Sequence, residues 1–255
     1  MSDLLKKESV LYVENLHIAY PNLTIAENES FYVNAGETVV ILGENGSGKS
    51  SLIKSLVLAA GMREFASRDL YFDGKKIDDN GLDEFRRSIG YAMQEDDEDP
   101  LFSRKVRDYV LDYAKDAQHN DGYLAYYDKL FDEYLACNTY ANGKFNDRRL
   151  KVCSGGEKRM VSILRAFSRH NSKLFILDEP INNLDAKHAR ILNNFLIDLK
   201  KRPNPPAVLI VTHCHMFRGV DRAYQLKGGK LLPVSDYQPK SCFGECDKTG
   251  YYTED

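Results

Sequence analysis

Three short runs of the chain are dominated by apolar and β-branched residues, the pattern of strands that are buried in an α/β sheet. The runs are Glu37–Leu42, Lys173–Glu179 and Ala207–Thr212. Segments with apolar residues at helical spacing stand beside them in the sequence, at Ser51–Val57, Glu157–Ser168 and Leu184–Leu199. This alternation of strands and helices predicts an α/β domain.

The remaining segments predict strands with hairpin turns, and one helical region. Strands are expected at Ser9–Tyr20, at Thr24–Val33, at 68–79 with a turn at Asp73-Gly74, at Phe85–Ala92 leading to Gln94, and at Tyr224–Leu232 with a turn at Gly228-Gly229. From Val106 to Leu135 the apolar spacing becomes helical, with a break at Asn120-Asp121-Gly122. That stretch predicts a helical sub-lobe inserted in the α/β domain.

Length and charge restrict the class of protein. The chain has 255 residues, which fit one large domain. Lys and Arg number 35 and Asp and Glu 38, a net charge of −3 that argues against a general nucleic-acid-binding surface. No apolar run approaches the roughly 18 residues of a transmembrane helix, and the first eight residues lack the apolar segment of a signal peptide. We therefore expect neither feature, nor a nucleic-acid partner.

The cysteines indicate a reduced, cytosolic protein, because their number is odd and none forms a CxxC pair. They are Cys137, Cys153, Cys214, Cys242 and Cys246. A zinc site at His213-Cys214-His215, or at Cys242 and Cys246, is a weaker alternative because the spacing does not fit a zinc finger.

Residues Gly43–Ser50 match the phosphate-binding pattern of glycine, four residues, glycine, lysine, then serine or threonine. The motif lies between a predicted strand and a predicted helix, which is the context it requires. Its glycines let backbone N–H groups approach a polyphosphate closely, and the helix N-terminus adds partial positive charge. Lys49 can reach the β- and γ-phosphates, and the Ser50 hydroxyl can bind magnesium.

Three further polar residues follow predicted buried strands. Asp178 and Glu179 end one strand and His213 follows another. Since ligands bind at the carboxyl ends of parallel strands, these side chains would meet Lys49 if the strands are neighbours. Asp178 could hold a metal ion and Glu179 could act on the attacking water. Taken singly, the carboxylates also fit a turn, and the histidine also fits a core position.

Taken in order, the motifs resemble those of the ATP-binding cassette (ABC) ATPases, from about Leu11 to about Leu232. Tyr20 stands at the place of the adenine-stacking aromatic residue, although the residues alone favour an ordinary strand tyrosine with a buried ring. Gly43–Ser50 resembles Walker A. Gln94 is similar to the Q-loop glutamine, which in the family approaches the magnesium and contacts the transmembrane partner.

The second half of the motif set follows in the same order. Cys153–Glu157 is similar to the signature motif Leu-Ser-Gly-Gly-Gln, although a helix capping box also explains Ser154 and Glu157. Leu174–Asp178 resembles Walker B and Glu179 the catalytic glutamate. Asn182–Asp185 resembles the D-loop, and His213 the switch histidine.

The resemblance implies ATP and Mg²⁺ as ligands. Catalysis would involve Lys49, Gln94, Glu179 and His213, and the metal would be held by Ser50, Gln94 and Asp178. The nucleotide would contact Tyr20, Gly43, Asn45, Gly46, Ser47, Gly48, Lys49, Ser50 and Ser51, and, across a dimer, Ser154, Gly155, Gly156 and Glu157.

The implied fold is an α/β P-loop domain with a RecA-like mixed sheet core, an antiparallel β-subdomain and an inserted helical subdomain near 95–165. The cassette would cover 1–232 and a separate tail 233–255. Two cassettes, identical or different, would enclose two Mg-ATP, each between the Walker A of one and the signature of the other. In transporters this closure moves a membrane subunit, so we expect a separate transmembrane permease and a place at the cytoplasmic face of a membrane.

Departures from the family pattern are small. Cys153 replaces the usual leucine, Glu157 the usual glutamine, and Asn182 a frequent serine. None removes a group that the chemistry requires, so we expect an active ATPase. Asp99–Ser103 is similar to exporter-type cassettes and favours export. The alternative is a non-transport ABC ATPase that acts on nucleic acid, ribosomes or cofactor assembly, and a co-purifying polytopic protein would decide between them.

Overall fold

The computed structural model describes residues 2–57, 62–92, 103–113, 144–169 and 172–240. The strands of these ranges are β1 Ser9–Tyr20, β2 Leu23–Asn34, β3 Thr38–Leu42, β4 Ala66–Phe72, β5 Lys75–Lys76, β6 Ile89–Ala92, β7 Leu174–Asp178, β8 Ala207–Thr212, β9 Arg222–Lys227 and β10 Lys230–Val234. The helices are α1 Ser2–Glu8, α2 Lys49–Leu56, α3 Leu82–Ser88, α4 Val106–Tyr113, α5 Lys144–Asp147, α6 Gly155–Phe167 and α7 Ala186–Lys200, with short 3-10 turns at Met62–Glu64 and Leu150–Val152.

The larger sheet has the strand order β10-β9-β3-β8-β7-β6. The pairings of β3 with β8 and β9, of β8 with β7, and of β7 with β6 are parallel, and β9 pairs with β10 in antiparallel fashion. In the register, Leu42 lies opposite Thr212 and Asp178 opposite Val211. The three apolar strands β3, β8 and β7 are therefore neighbours, and their carboxyl ends meet at one edge.

Both faces of this sheet are covered, which explains why its strands are almost continuously apolar. Successive residues of β3 enter opposite cores, Val40 on one side and Ile41 on the other. The first core is completed by α4, α6 and α7, the second by α2 and the strands of the smaller sheet. The α/β core predicted from the sequence is confirmed, and it fixes the strand ends between two packed layers.

The smaller sheet has the order β2-β1-β4-β5, and all its pairings are antiparallel. The turn between β4 and β5 lies at Asp73 and Gly74, which both adopt positive φ, as expected for a hairpin turn. This sheet is the antiparallel β-subdomain that the resemblance implied. Strand β2 brings Ile25 against the loop that follows β3.

Two predicted elements differ from the structure in extent. The strand expected from Phe85 to Ala92 begins only at Ile89, because Leu82–Ser88 forms α3. Leu82 and Phe85 lie one helical turn apart and both are buried, so the burial of one face favours a helix over a strand here. The helical region expected from Val106 is present as α4, but its continuation from 114 to 143 lies outside the described residues.

The cysteines only partly match the expectation of reduced thiols. Cys153 is buried and not disulfide-bonded, whereas Cys214 is disulfide-bonded, so the expectation is wrong at Cys214. The other three cysteines lie outside the described residues. The helices of the described ranges include none that is both long and apolar enough to cross a membrane. Among these same residues no group of three or more histidine, cysteine or acidic side chains could hold a metal ion.

Candidate functional site

The glycine-rich loop connects β3 directly to α2. Gly48 precedes the helix with a φ of 92°, and a Cβ added there would lie 2.4 Å from the Ile25 side chain. Only glycine fits this backbone and this contact. The loop thus turns tightly enough to direct the N-terminus of α2 towards the edge where β7 and β8 also end.

Lys49 is 5% exposed, and its ammonium group is held inside the loop. Nζ donates to the carbonyl oxygens of Gly43 at 2.8 Å and Glu44 at 2.9 Å. It also lies 3.2 Å from Oε1 of Glu179, a pair in which both side chains are buried. The Lys49 side chain therefore lies at the centre of the site, between the loop carbonyls and the Glu179 carboxylate.

Asp178 is the last residue of β7 and is 1% exposed. The hydroxyl of Ser50 donates to its Oδ1 at 3.4 Å. Burial raises the pKa of the Asp178 carboxyl above its ordinary value, and the Ser50 hydrogen bond and the Arg159 charge oppose that shift. A carboxylate oxygen and a hydroxyl oxygen therefore lie side by side at the carboxyl end of the sheet.

Glu179 directs its carboxylate towards β8. Its Oε2 accepts hydrogen bonds from the Thr212 hydroxyl at 3.0 Å and from the backbone N–H of His213 at 3.3 Å, and it lies 3.0 Å from Nδ1 of His213. The backbone of Glu179 has a φ of 47°, in the left-handed region that non-glycine residues seldom adopt. Strain of this kind persists where surrounding contacts enforce it, and it is concentrated at functional sites.

Lys49, Ser50 and Glu179 line a cavity of about 500 Å³. Its lining includes Tyr20, Asn45, Gly48, Ser51, Glu179 and Asn182. Tyr20 donates a hydrogen bond to the Ser51 hydroxyl at 3.2 Å, and its ring packs on Phe65 with centroids 4.7 Å apart. The tyrosine ring is thus placed beside the glycine loop, at the mouth of the cavity.

The predicted signature residues begin a helix at a different place. Ser154 caps α6 through a complete capping box with Glu157, whose carboxylate also pairs with Arg148. Gly156 lies against the D-loop, and a Cβ there would come within 2.7 Å of the Asn183 carbonyl oxygen. None of residues 154–157 is among the described residues that line the cavity.

The structure therefore brings together Lys49, Asp178, Glu179 and His213, as the strand-end argument predicted, and Ser50 lies beside Asp178. Gln94 lies outside the described residues. Sequence reasoning missed Thr212, although it is the one polar residue of β8, ends that strand and directly precedes His213. A polar residue at the end of this strand could have been identified as a site residue from the sequence.

The residues fit a polyphosphate and a magnesium ion. The Ser47 hydroxyl oxygen is shielded from solvent and has no hydrogen-bond partner among the described residues, although it lies in a loop rich in backbone donors. A phosphate oxygen would satisfy it. Ser50 and Asp178 offer the hard oxygen atoms that Mg²⁺ prefers.

Comparison with known proteins agrees with the resemblance found in the sequence motifs. The family model described as ABC transporter matches residues 26–182. An ABC transporter ATP-binding protein of Pyrococcus furiosus is 31% identical over 234 residues, which cover 90% of this chain and 81% of that protein. The alpha-factor-transporting ATPase of Saccharomyces cerevisiae is 28% identical over 91% of this chain, but the chain spans only 17% of its length.

The fold is shared with solved cassettes. A structure described as the dimeric form of a bacterial ABC transporter cassette superimposes with a TM-score of 0.68 and 24% identity, over 87% of this chain and 96% of the other. At this identity the likeness concerns the fold. The mixed sheet with its antiparallel β-subdomain is therefore the cassette architecture.

Proposed function

The chain belongs to the ABC transporter family as one of its ATPase cassettes, and we propose that Glu179 is the general base of its ATP hydrolysis. The observation that carries this proposal is the position of the Glu179 carboxylate. It is held between Lys49 on one side and Thr212 and His213 on the other, at the edge where three parallel strands end. A base at this position can accept a proton from a water that attacks the γ-phosphorus.

Each residue at the strand ends has a defined task in this reaction. Lys49 binds the β- and γ-phosphate oxygens, and backbone N–H groups of the glycine loop donate to the same oxygens. Glu179 takes the proton of the attacking water while the bond from the γ-phosphorus to the bridging oxygen breaks, which yields ADP and phosphate. His213 orients the Glu179 carboxylate, with Nδ1 3.0 Å from Oε2, and its side chain is partly exposed to solvent.

Ser50 and Asp178 would hold magnesium, with Gln94 as a further ligand. When bound, the ion neutralises charge that develops on the phosphate oxygens. Tyr20 would stack on the adenine, and Asn45, Gly46 and Ser51 would contact the nucleotide beside it. The support for the nucleotide contacts is the cavity that Tyr20, Asn45, Gly46 and Ser51 line together. The support for the metal site is the contact of Ser50 with Asp178, and Gln94 is added on the resemblance alone.

The working unit we propose is a pair of cassettes. Ser154, Gly155, Gly156 and Glu157 begin a helix away from the cavity of their own chain, so they are available to the nucleotide of a second cassette, identical or different. Residues 1–232 would form the cassette, with a helical subdomain near 95–165, and 233–255 a tail.

The partner of this pair would be a separate transmembrane permease, which places the cassette at the cytoplasmic face of a membrane. The support is the family, together with a P. furiosus relative whose name is that of a transporter ATP-binding protein. Export is the direction we propose, on the resemblance of Asp99–Ser103 to exporter-type cassettes. Those residues lie partly outside the described ranges.

Purification of the chain from its native membranes tests this function. The expected result is a polytopic membrane protein in stoichiometric amount, and Mg²⁺-dependent ATP hydrolysis that rises when that protein is reconstituted in vesicles. Accumulation of substrate inside inverted vesicles would then report export. Co-purification with ribosomes or an assembly complex, without a polytopic partner, would support the non-transport ABC ATPase instead.

A further inference from the structure

Arg159 is an arginine that the cassette motifs leave without a task, yet it is almost completely buried. It lies in α6, five residues after Ser154, and is 3% exposed. Arginine is seldom buried to this degree unless its donors are satisfied. A buried guanidinium beside a functional site therefore requires an explanation from its contacts.

The contacts of Arg159 lead to the main chain at the end of β7. Its guanidinium donates to the carbonyl oxygen of Asp178, and its Nε donates to the carbonyl oxygen of Pro180 at 3.4 Å. These two carbonyls flank Glu179 on both sides. Arg159 therefore spans the Glu179 backbone, from the peptide group that immediately precedes Glu179 to the peptide group that follows Pro180.

The bridged residue is the one with the unusual backbone. Glu179 has a φ of 47°, a strained conformation for a non-glycine residue that must be enforced by its surroundings. Its own N–H donates to the Val211 carbonyl at 2.7 Å, and its carbonyl accepts from the Asn182 N–H at 3.1 Å. Arg159 adds a further restraint on the Glu179 backbone, and this restraint comes from helix α6 rather than from the sheet.

We propose that Arg159 is a positioning residue that holds Glu179 in its left-handed backbone conformation and so aims its carboxylate at the attacking water. The proposal rests on the function proposed above for Glu179. The planar fork of arginine suits two carbonyls at once, whereas lysine presents a single point charge. Ser154 caps α6 and Arg159 lies in its second turn. A movement of α6 at the dimer interface would therefore be transmitted to the Glu179 backbone.

The test compares R159K and R159Q with R165K, a control in the same helix. Arg165 stacks on the Tyr109 ring, with its guanidinium carbon 4.4 Å from the ring centroid, and donates to the Tyr109 hydroxyl. We expect R159K to lower kcat by about 10- to 100-fold, the effect of a misplacement on the order of 1 Å, while the Kd for ATP stays within about threefold. R165K should leave kcat within about twofold. R159Q, which is neutral and can serve one carbonyl, gives a second folded variant if R159K is unstable.

A double-mutant cycle with E179Q separates positioning from general damage. If Arg159 acts through Glu179, R159K leaves the residual turnover of E179Q unchanged, whereas damage to the fold lowers both backgrounds by the same factor. Turnover of R159K and R159Q within twofold of wild type would overturn the inference, as would equal losses of kcat and ATP affinity. If E179Q itself turns over at the wild-type rate, the base assignment fails and this inference fails with it. If E179Q is inactive and R159K is fully active, only this inference fails.

Discussion

The Nδ1 atom of His213 lies 3.0 Å from Oε2 of Glu179, although the two residues follow different strands of the sheet. The same oxygen accepts a hydrogen bond from the Thr212 hydroxyl, and the other carboxylate oxygen faces Lys49 Nζ at 3.2 Å. One carboxylate, directly after β7, thus contacts groups at the end of β8 and at the first residue of α2. Turnover should therefore depend on the charge of Glu179, on its hydrogen-bond donors and on the cation beside it.

Replacement of Glu179 by glutamine should leave ATP binding nearly intact and remove most turnover. The amide keeps the shape of the side chain but cannot accept the proton of the attacking water, a loss of typically about 10²- to 10⁴-fold. Hydrolysis at saturating ATP and calorimetric affinity measure the two effects separately. Turnover within a factor of two of wild type would show that Glu179 is not the base.

Thr212→Val should lower kcat by about tenfold, because it deletes the hydroxyl that donates to Glu179 while it preserves side-chain shape. The hydroxyl also accepts a hydrogen bond from the Cys214 N–H, so the variant loses this hydrogen bond in the turn after β8 as well. Thr38→Val is the matched control, since Thr38 is equally buried but lies at the opposite end of β3. Steady-state kinetics should distinguish the two variants, and equal effects would assign the loss to packing.

The convergence of these groups could be predicted from the sequence because it follows from one rule about parallel strands. Asp178 and His213 each end an apolar run, and parallel neighbours end at one edge. Local sequence patterns do not show that β3, β8 and β7 are neighbours, because strand order is a property of the whole fold. The capping box at Ser154 was likewise readable, since its two partners are three residues apart.

Other features depend on contacts distant in the sequence, and prediction failed there. The segment Leu82–Ser88 contains only two buried apolar residues, so the short helix α3 gave no periodic signal that could outweigh the strand after it. From the sequence alone, Arg159 is one of several polar residues in the predicted amphipathic helix Glu157–Ser168. Its role appears only when α6 packs beside Pro180, which is 21 residues further along the chain.

Lys49→Ala should weaken ATP binding itself by about 10- to 100-fold, because it removes the cation that faces the β- and γ-phosphates. It also leaves the buried Glu179 carboxylate without its lysine partner. Lys54→Ala is the control, since Lys54 lies in the same helix but is exposed. Calorimetry with ATP should give an affinity within about twofold of wild type for the control, and an unchanged affinity for Lys49→Ala would contradict the assignment.

Tyr20→Ala should weaken ATP and GTP alike, since stacking depends on the face of a base rather than on its edges, and a stacked base contributes about 1–3 kcal/mol. Tyr20→Phe keeps the ring and deletes only the hydrogen bond to Ser51, so its affinity should stay close to wild type. Urea unfolding of both variants gives the loss of packing against Phe65. If Tyr20→Ala loses stability but binds both nucleotides normally, Tyr20 is an ordinary strand residue.

The pairing of cassettes predicts complementation between two inactive chains. Lys49→Ala damages the phosphate loop, and Ser154→Arg places a bulky cation at the N-terminus of α6, where a phosphate of the partner's nucleotide would bind. Each variant alone should be nearly inactive, because both composite sites of its dimer carry the defect. In a mixed dimer one site keeps two intact halves, so mixing should restore part of the hydrolysis.

The readout of this experiment is the rate per chain as the ratio of the two variants is changed. It should pass through a maximum near equal amounts, and the wild-type rate should rise with protein concentration as dimers form. Glu179→Gln should trap the dimer in the presence of ATP, which gel filtration detects. If mixed dimers form and restore nothing, either the two sites must act together or Ser154 serves its own chain. A wild-type rate per chain that does not change with concentration, from a species that remains monomeric, would exclude the paired cassette.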